Sequence, residues 1–425
     1  MELIQDLLKY IDDSPTSYHA SENARKILLA QGFQELSKED SWDLKEKGKY
    51  FVVNGDSALI AFRIGSLGED LAFQLIGSHG DSPGFRIKPN AEMLVKDGYI
   101  KLNTEVYGGP IYSTWYDRPL SIAGRVIVEE EGRLVSKLLN IEKDLLIIPN
   151  LAIHMNREVN NGYKYNAQKD TLPLLAMVEE ELEKDNLLLN LLAEELRVNV
   201  ESILDFDLYL YPREKGCQVG LKGEFLSVSR LDNLSMAYTS LRALIDAKES
   251  NKTNFVVIHD HEEIGSSTRA GAASPFLKDT LARVASFAQG EDAYYRALAK
   301  GFMISADLTH ALHPNYTEAA DPTNGPILNK GPAIKVAANR SYSTDAYSSA
   351  FFKQVCKKAG VPVQSFTNRS DKRGGSTIGP ISLGQLDIAM VDVGNPTLAM
   401  HSVRELVGTK DQEYIYKAFL YFFQG

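Results

Sequence analysis

Cysteine is scarce: the 425-residue chain has two, Cys217 and Cys356. Two thiols close at most one bridge, so the fold cannot rest on a disulfide framework. Cys356 falls in an amphipathic stretch, Ala346 to Lys358, where a buried free thiol is the expected state. Long apolar runs are missing as well. Runs such as Leu145 to Ile148 and Leu187 to Leu189 are far shorter than the roughly 20 residues a membrane-spanning helix needs. Basic clusters are limited to short pieces such as Lys372-Arg373, and the net charge is −10, which argues against nucleic acid or an anionic membrane as the main partner. The N-terminal stretch is expected to be a helix rather than an export signal. It reads MELIQDLLKYIDDSP, with Asp6, Asp12 and Asp13 and a helical spacing of Leu3, Leu7, Leu8 and Ile11, so the expected location is cytoplasmic.

With 44% hydrophobic and 24% charged residues, the composition is that of a globular protein able to bury a substantial core. The length calls for two domains, or one carrying a large insertion. After the first helix and the stop at Ser14-Pro15-Thr16, a second helical pattern runs from Ala20 to Ala30 and ends at Gly32. Strand patterns follow over Tyr50 to Asn54, Ala58 to Ile64 and Leu71 to Gly77. The last stops abruptly at Ser78-His79-Gly80-Asp81, as a buried strand does where its carboxyl end opens onto a site. From about Pro89 to Leu226 the texture changes to short β-like pieces, Gly98 to Leu102, Ser121 to Glu129 and Leu145 to Ile148, plus an acidic helical stretch from Leu174 to Leu204. Alternation of helix and strand then resumes, with a helix after Asp232 and strands Asn254 to His259, Gly301 to Ala306 and Leu386 to Val391. The predicted fold is α/β: a catalytic domain, residues 1–88 and 227–425, split in sequence by an inserted β-rich domain, residues 89–226.

Histidine is also sparse, eight residues, yet several lie beside carboxylates at predicted strand ends. His79 is followed two residues later by Asp81, a spacing that suits a metal-binding imidazole whose other nitrogen is held by a carboxylate; a solvated turn would also favour Gly and Asp here. The segment His259-Asp260-His261-Glu262-Glu263 packs two histidines and three carboxylates into five positions after a strand. Repulsion among adjacent carboxylates makes such density costly unless a cation compensates, the competing reading being a charged, solvated loop. Asp232 opens a helix, where a plain N-cap is the competing reading. Asp307 ends an apolar strand and His401 lies just past another. Together they offer two histidines and three carboxylates on strand ends and loops of one domain, the donor set that two cations a few ångströms apart require.

At these positions the chain resembles the aspartyl aminopeptidases, dinuclear zinc exopeptidases that assemble into tetrahedral dodecamers. The resemblance spans nearly the whole chain: Ser14-Pro15-Thr16 with Tyr18-His19, Gly77 to Pro83, Ile153-His154, Leu231-Asp232-Asn233 and Asp260 to Ser266. It continues through Ser305-Ala306-Asp307 with His310, His313 to Tyr316, Gly375 to Pro380 and Leu398 to Glu405. It implies a zinc-peptidase domain with a mixed sheet flanked by helices, and an inserted dimerisation domain. It further implies two zinc ions per subunit, cobalt or manganese being alternatives. His79, Asp232, Glu263, Asp307 and His401 would be the ligands, Asp232 bridging both ions. Glu262 would be the general base and Asp81 the orienter of His79. Lys335 and Tyr342 match positions that face substrate, and His154 one that reaches a neighbouring subunit's site.

The activity so implied is removal of the N-terminal residue of a peptide, with acidic residues favoured by charge pairing to Lys335. After Tyr316, however, the chain reads Thr317-Glu318-Ala319-Ala320-Asp321-Pro322, where the family often carries Lys-His-Glu and a second histidine. Gly374 stands where many relatives place a cysteine. A neutral-residue aminopeptidase or another dinuclear zinc amidohydrolase shares every ligand and is the first alternative. A noncatalytic binding scaffold is the distant one, because a scaffold has no reason to keep so costly a cluster of charge.

Overall fold

In a computed structural model, residues 2–96, 98–177 and 186–425 are described. They form two compact units, one of residues 1–81, 216–400 and 405–425, the other of residues 82–215 and 401–404.

The first unit is built on a nine-stranded mixed sheet. Its central strands Thr253–His259, Phe73–His79, Phe302–Ala306 and Ala389–Gly394 run parallel as neighbours, so their carboxyl ends share one edge. Apolar side chains alternate between the two faces with the two-residue period of a strand. Ile76, Val256, Ile304 and Val391 enter one core with the helices Leu231–Asp246 and Thr409–Gln424. Leu75, Phe255, Met303 and Met390 enter the other with Phe276–Ala285 and Ala293–Ala299. Burial on both faces explains why these strands read as continuous apolar runs. Helix Ala346–Ala359 starts at a capping box, in which Asp345 Oδ1 accepts from Ser348 N at 2.8 Å and Asp345 N donates to Ser348 Oγ at 3.0 Å. Such a cap is worth about 1 kcal/mol. Cys356, inside this helix, is a buried thiol. A separate five-stranded sheet, Cys217–Val219, Phe225–Val228, Glu405–Gly408, Pro396–Leu398 and Thr309–His310, belongs to the same unit.

The second unit is a six-stranded antiparallel sheet in the order Arg133–Asn140, Leu120–Glu130, Ile203–Pro212, Gly84–Val95, Tyr99–Tyr107, Leu174–Met177. Phe85, Trp115, Ile122 and Leu208 fill its core together with Leu188 and Leu192 of helix Leu187–Leu196. Two expectations fail here. Leu145 to Ile148 makes only the isolated bridges Leu120 with Leu146 and Ile147 with Leu174, because a four-residue run paired at single positions builds no ladder. Among the described residues, the helical stretch expected from Leu174 to Leu204 is an α-helix over Leu187–Leu196. Leu174–Met177 and Ile203–Pro212 are strands, and residues 178–185 lie outside the described residues. No helix of the described residues is long and apolar enough to cross a membrane.

One glycine links this architecture to the strand ends. A Cβ on Gly394 would lie 1.8 Å from the Asp307 carbonyl oxygen, so only glycine lets strand Ala389–Gly394 pass that close. Gly394→Ala should therefore lower stability by about 1–3 kcal/mol, the usual cost of overpacking, and displace Asp307. Gly375→Ala, where an added Cβ meets nothing within 4 Å, should leave stability within about 1 kcal/mol of the parent. Denaturant unfolding of the two variants side by side checks this, and equal stabilities would contradict it.

Candidate metal centre

The carboxyl ends of the parallel strands gather five of the residues singled out in the sequence. His79 is the last residue of strand Phe73–His79, and Asp307 follows strand Phe302–Ala306. Glu262 and Glu263 form a single turn, Glu262–Ile264, just past strand Thr253–His259. Asp232 stands in the first turn of helix Leu231–Asp246, where Asp232 and Asn233 depart from helical geometry and their peptide bond is cis. His79 Nε2 lies 3.4 Å from Asp232 Oδ1, 3.6 Å from Asp307 Oδ1 and 4.0 Å from Glu262 Oε2. The donor atoms of His79, Asp232 and Asp307 all fall within 4.8 Å of one another, as do those of His79, Glu262 and Glu263. His79 is 1% exposed and Asp232 4%, so the charges crowd together away from water.

Hydrogen bonds hold this arrangement in place. The Asp81 carboxylate accepts from Glu262 N through Oδ1 and from Glu263 N through Oδ2, each at 3.1 Å. Its Oδ1 is also 3.3 Å from His79 Nδ1, whose 3.1 Å neighbour is the Asp81 carbonyl. One carboxylate thus fastens an imidazole and the turn that carries two further carboxylates. Asp232 is set from behind: its N–H donates to Glu405 Oε2 at 2.9 Å, and Asn233 Nδ2 donates to the Ala306 carbonyl at 2.9 Å. Glu405 closes the Leu398-to-Glu405 motif, but its role as acceptor for Asp232 has no signal in the sequence around it. Lys335 is 3% exposed; its Nζ pairs with Asp307 Oδ2 at 3.1 Å and lies 5.6 Å from the centre of the buried Tyr342 ring.

The electrostatics follow from crowding. Burial pushes the Glu262 carboxyl up to about 8, with the charges of Asp307, Asp81 and Asp232 adding to it against the opposing pull of His79. Burial and the charge of Asp232 likewise raise Glu263 well above the ordinary range. Burial alone would lower the His79 pKa, but Asp232, Asp307 and Asp81 as acceptors carry it upward. For Asp307, burial is outweighed by Lys335 and His79, and the net direction is down. Imidazole nitrogen and carboxylate oxygen converging in a desolvated pocket are the donors zinc takes, so the residues present fit that ion.

His259, Asp260 and His261 join neither donor set. His259 is buried, and burial pushes its pKa down to about 4, so it is neutral. Asp260 accepts from His261 N at 2.9 Å, and His261 Nδ1 is 2.8 Å from Thr268 Oγ1. His401 belongs with the second unit, where its Nδ1 is 3.1 Å from the Gly109 carbonyl oxygen. His154 is exposed in the same unit, in a segment that also exposes Leu151, Ile153 and Met155.

Residues 10–423 match the family model described as aminopeptidase I zinc metalloprotease (M18). The chain belongs to the M18 family of zinc aminopeptidases. A probable M18 family aminopeptidase 2 of Clostridium acetobutylicum is 51% identical over 427 residues, covering 100% of this chain and 99% of the relative. Among solved structures, the cryo-EM structure of an Ape4 and Nbr1 complex is similar with a TM-score of 0.96 at 38% identity, over 99% of this chain and 85% of that one. The mApe1 dodecamer of S. cerevisiae is similar with a TM-score of 0.85 at 27% identity, over 99% and 95% of the two chains. As an M18 zinc aminopeptidase the chain is a hydrolase, and the carboxylate cluster is the place in the first unit where its metal chemistry fits.

Metal uptake by this M18 aminopeptidase should release protons. Below about pH 8 the metal-free cluster holds a proton on Glu262, and the raised Glu263 holds another, which a cation must displace. Zinc affinity of the metal-free protein should therefore climb as pH rises through the neutral range toward 8. Calorimetric titration in two buffers of different ionisation enthalpy reads the released protons directly. Identical heats in both buffers at pH 6.5 would contradict the protonated cluster.

Proposed function

We propose that the chain hydrolyses the N-terminal residue from peptides using two zinc ions, with Glu262 as general base and acidic N-terminal residues preferred. The observation that carries this reading is the convergence of the His79, Asp232, Asp307, Glu262 and Glu263 donor atoms at buried strand ends. His79, Asp232, Glu263, Asp307 and His401 would hold the ions, with Asp232 shared between them. Bound there, zinc supplies Lewis-acid polarisation of the scissile carbonyl and lowers the pKa of the attacking water.

The chain's own residues do the rest. Glu262 takes the proton of the attacking water and returns it to the leaving amide nitrogen, which departs as an amine. A carboxyl pushed up toward neutrality by burial is suited to giving the proton back as well as taking it. Glu262 and Glu263 can divide the work because Asp81 fixes the backbone N–H of each separately, so adjacent side chains point to different tasks. Asp81 also orients His79. Lys335, beside Tyr342, would meet an acidic side chain of the substrate by charge pairing. We further propose a homo-oligomer, a tetrahedral dodecamer, a reading supported by the dodecamer of the yeast relative. Its interface would involve the β-rich unit, and exposed His154 with its apolar neighbours Leu151, Ile153 and Met155 would serve a neighbouring copy. The location we propose is cytoplasmic.

The test is a panel of aminoacyl reporters, Asp, Glu, Leu, Ala and Lys with an N-acetylated control, assayed with zinc, cobalt or manganese and with a chelator. Metal-dependent cleavage of Asp and Glu reporters is expected. Preference for Leu or Ala would overturn the acidic selectivity, and cleavage of the acetylated control would point to a deacylase. Glu262→Gln should reduce kcat by about 10²–10⁴-fold while metal content stays at the parent level. Near-normal turnover in that variant would remove Glu262 as the base.

A further inference from the structure

Behind the strand ends lies a buried carboxylate that is outside the metal centre and outside the family motif's assigned roles. Asp392, on strand Ala389–Gly394, is 0% exposed. Its Oδ2 accepts from both the N–H and the Oγ of Ser343 at 2.5 Å, and its Oδ1 accepts from Thr377 Oγ1 at 2.6 Å. Its own N–H donates to Thr344 Oγ1 at 2.9 Å. A buried carboxylate is costly unless its lone pairs are met, and here three donors from two separate loops meet them.

Those loops are informative. Ser343 and Thr344 directly follow Tyr342, whose ring is 5.6 Å from Lys335 Nζ. Thr377 ends the glycine-rich stretch Gly374 to Ser376, and Ser376 Oγ reaches back to the Ser341 carbonyl at 3.3 Å on the other side of Tyr342. Tyr342 is therefore bracketed. Residues 341, 343 and 344 on its two flanks are tied to the Thr377 loop or to Asp392 itself. The strand Ala333–Lys335 is in turn paired antiparallel with Ala389–Gly394, through Ala333 with Gly394 and Ile334 with Val393. One strand thus carries the carboxylate that pins the Tyr342 loop and forms the ladder that places Lys335.

We propose that Asp392 is a positioning residue for the pocket that receives the side chain of the substrate's first residue, acting by locking the Tyr342 loop and the Thr377 loop against Lys335. The role rests on the reading of Lys335 as substrate-facing. Asp392 touches neither substrate nor metal; without its carboxylate the Ser343 N–H loses a charged acceptor, the two loops separate, and Tyr342 no longer fixes the ammonium in place. The effect falls mainly on recognition of the side chain, because His79, Asp232 and the Glu262–Glu263 turn are held by separate Asp81 and Glu405 contacts, and only Asp307 touches Lys335.

The test uses the full chain with zinc bound, comparing Asp392→Asn, Thr377→Val and Lys335→Met with the parent on Asp and Leu reporters. Thr377→Val removes one donor and leaves the carboxylate, so it carries the test should Asp392→Asn fold poorly. The expected result for Asp392→Asn is a KM for the Asp reporter raised about tenfold or more, the scale of one lost hydrogen bond to a charged group. The ratio of kcat/KM between the Asp and Leu reporters should shift, with kcat within about threefold and zinc content at the parent level. Thr377→Val should shift the same ratio in the same direction by less. A fall in kcat with KM and the ratio unchanged would mean that Asp392 only supports the fold, and would overturn the proposal. The Lys335→Met arm separates the two ideas. If it leaves the ratio unmoved, the substrate-facing reading of Lys335 fails and the proposal with it. If it moves the ratio while Asp392→Asn and Thr377→Val do not, the positioning role alone fails.

Discussion

Like-charge repulsion at the carboxyl ends of the parallel strands is the constraint on which the rest of the first unit depends. Two like charges roughly 4 Å apart repel by about 4 kcal/mol at an effective dielectric of about 20. Asp232, Asp307, Glu262 and Glu263 all lie near His79 at comparable spacing, largely out of water. A total stability of roughly 5–15 kcal/mol cannot absorb several such pairs unaided. Protons on Glu262 and Glu263 relieve part of the strain, and the Lys335 ammonium relieves part at Asp307. Divalent cations relieve it more completely, which is why the arrangement makes sense as a metal centre and poor sense as a scaffold.

The surrounding structure is arranged to keep these groups from moving apart. Asp81 ties His79 to the Glu262–Glu263 turn, Glu405 holds the Asp232 backbone, and Gly394 lets the chain pass against the Asp307 carbonyl. Each contact joins segments far apart in sequence, so the site exists only when the nine-stranded sheet is complete. Asp392 repeats the device one layer back, a buried acceptor that collects donors from two loops.

Much of this was legible in the residues. The strand ending at His79, the strand ending before Asp307 and the carboxylate pair after His259 all announced themselves as apolar runs stopped by metal-binding residue types, and a cluster so arranged has few other uses. The helix Ala346–Ala359 was equally plain from its apolar spacing. What was hidden has a common physical reason: it depends on partners distant in sequence. Nothing local marks Glu405 as the acceptor for the Asp232 N–H or Asp392 as the anchor of Ser343 and Thr377. Density of charge misled in one respect, because Asp260 and His261 look like ligands but turn away into their own contacts. In the β-rich unit, the acidic stretch read as helix from Leu174 to Leu204 includes, among the described residues, the strand Leu174–Met177 and the start of the strand Ile203–Pro212 as well as the helix Leu187–Leu196.

The most direct measurement of the central claim is the metal content of the purified protein, read by elemental mass spectrometry after dialysis against metal-free buffer, for the parent and for Asp232→Asn. The account predicts two zinc equivalents per chain in the parent and a marked loss in Asp232→Asn, because the carboxylate proposed to serve both ions is gone. A parent that carries no zinc and gains none when zinc is supplied, or an Asp232→Asn variant with the parent's full complement, would contradict it.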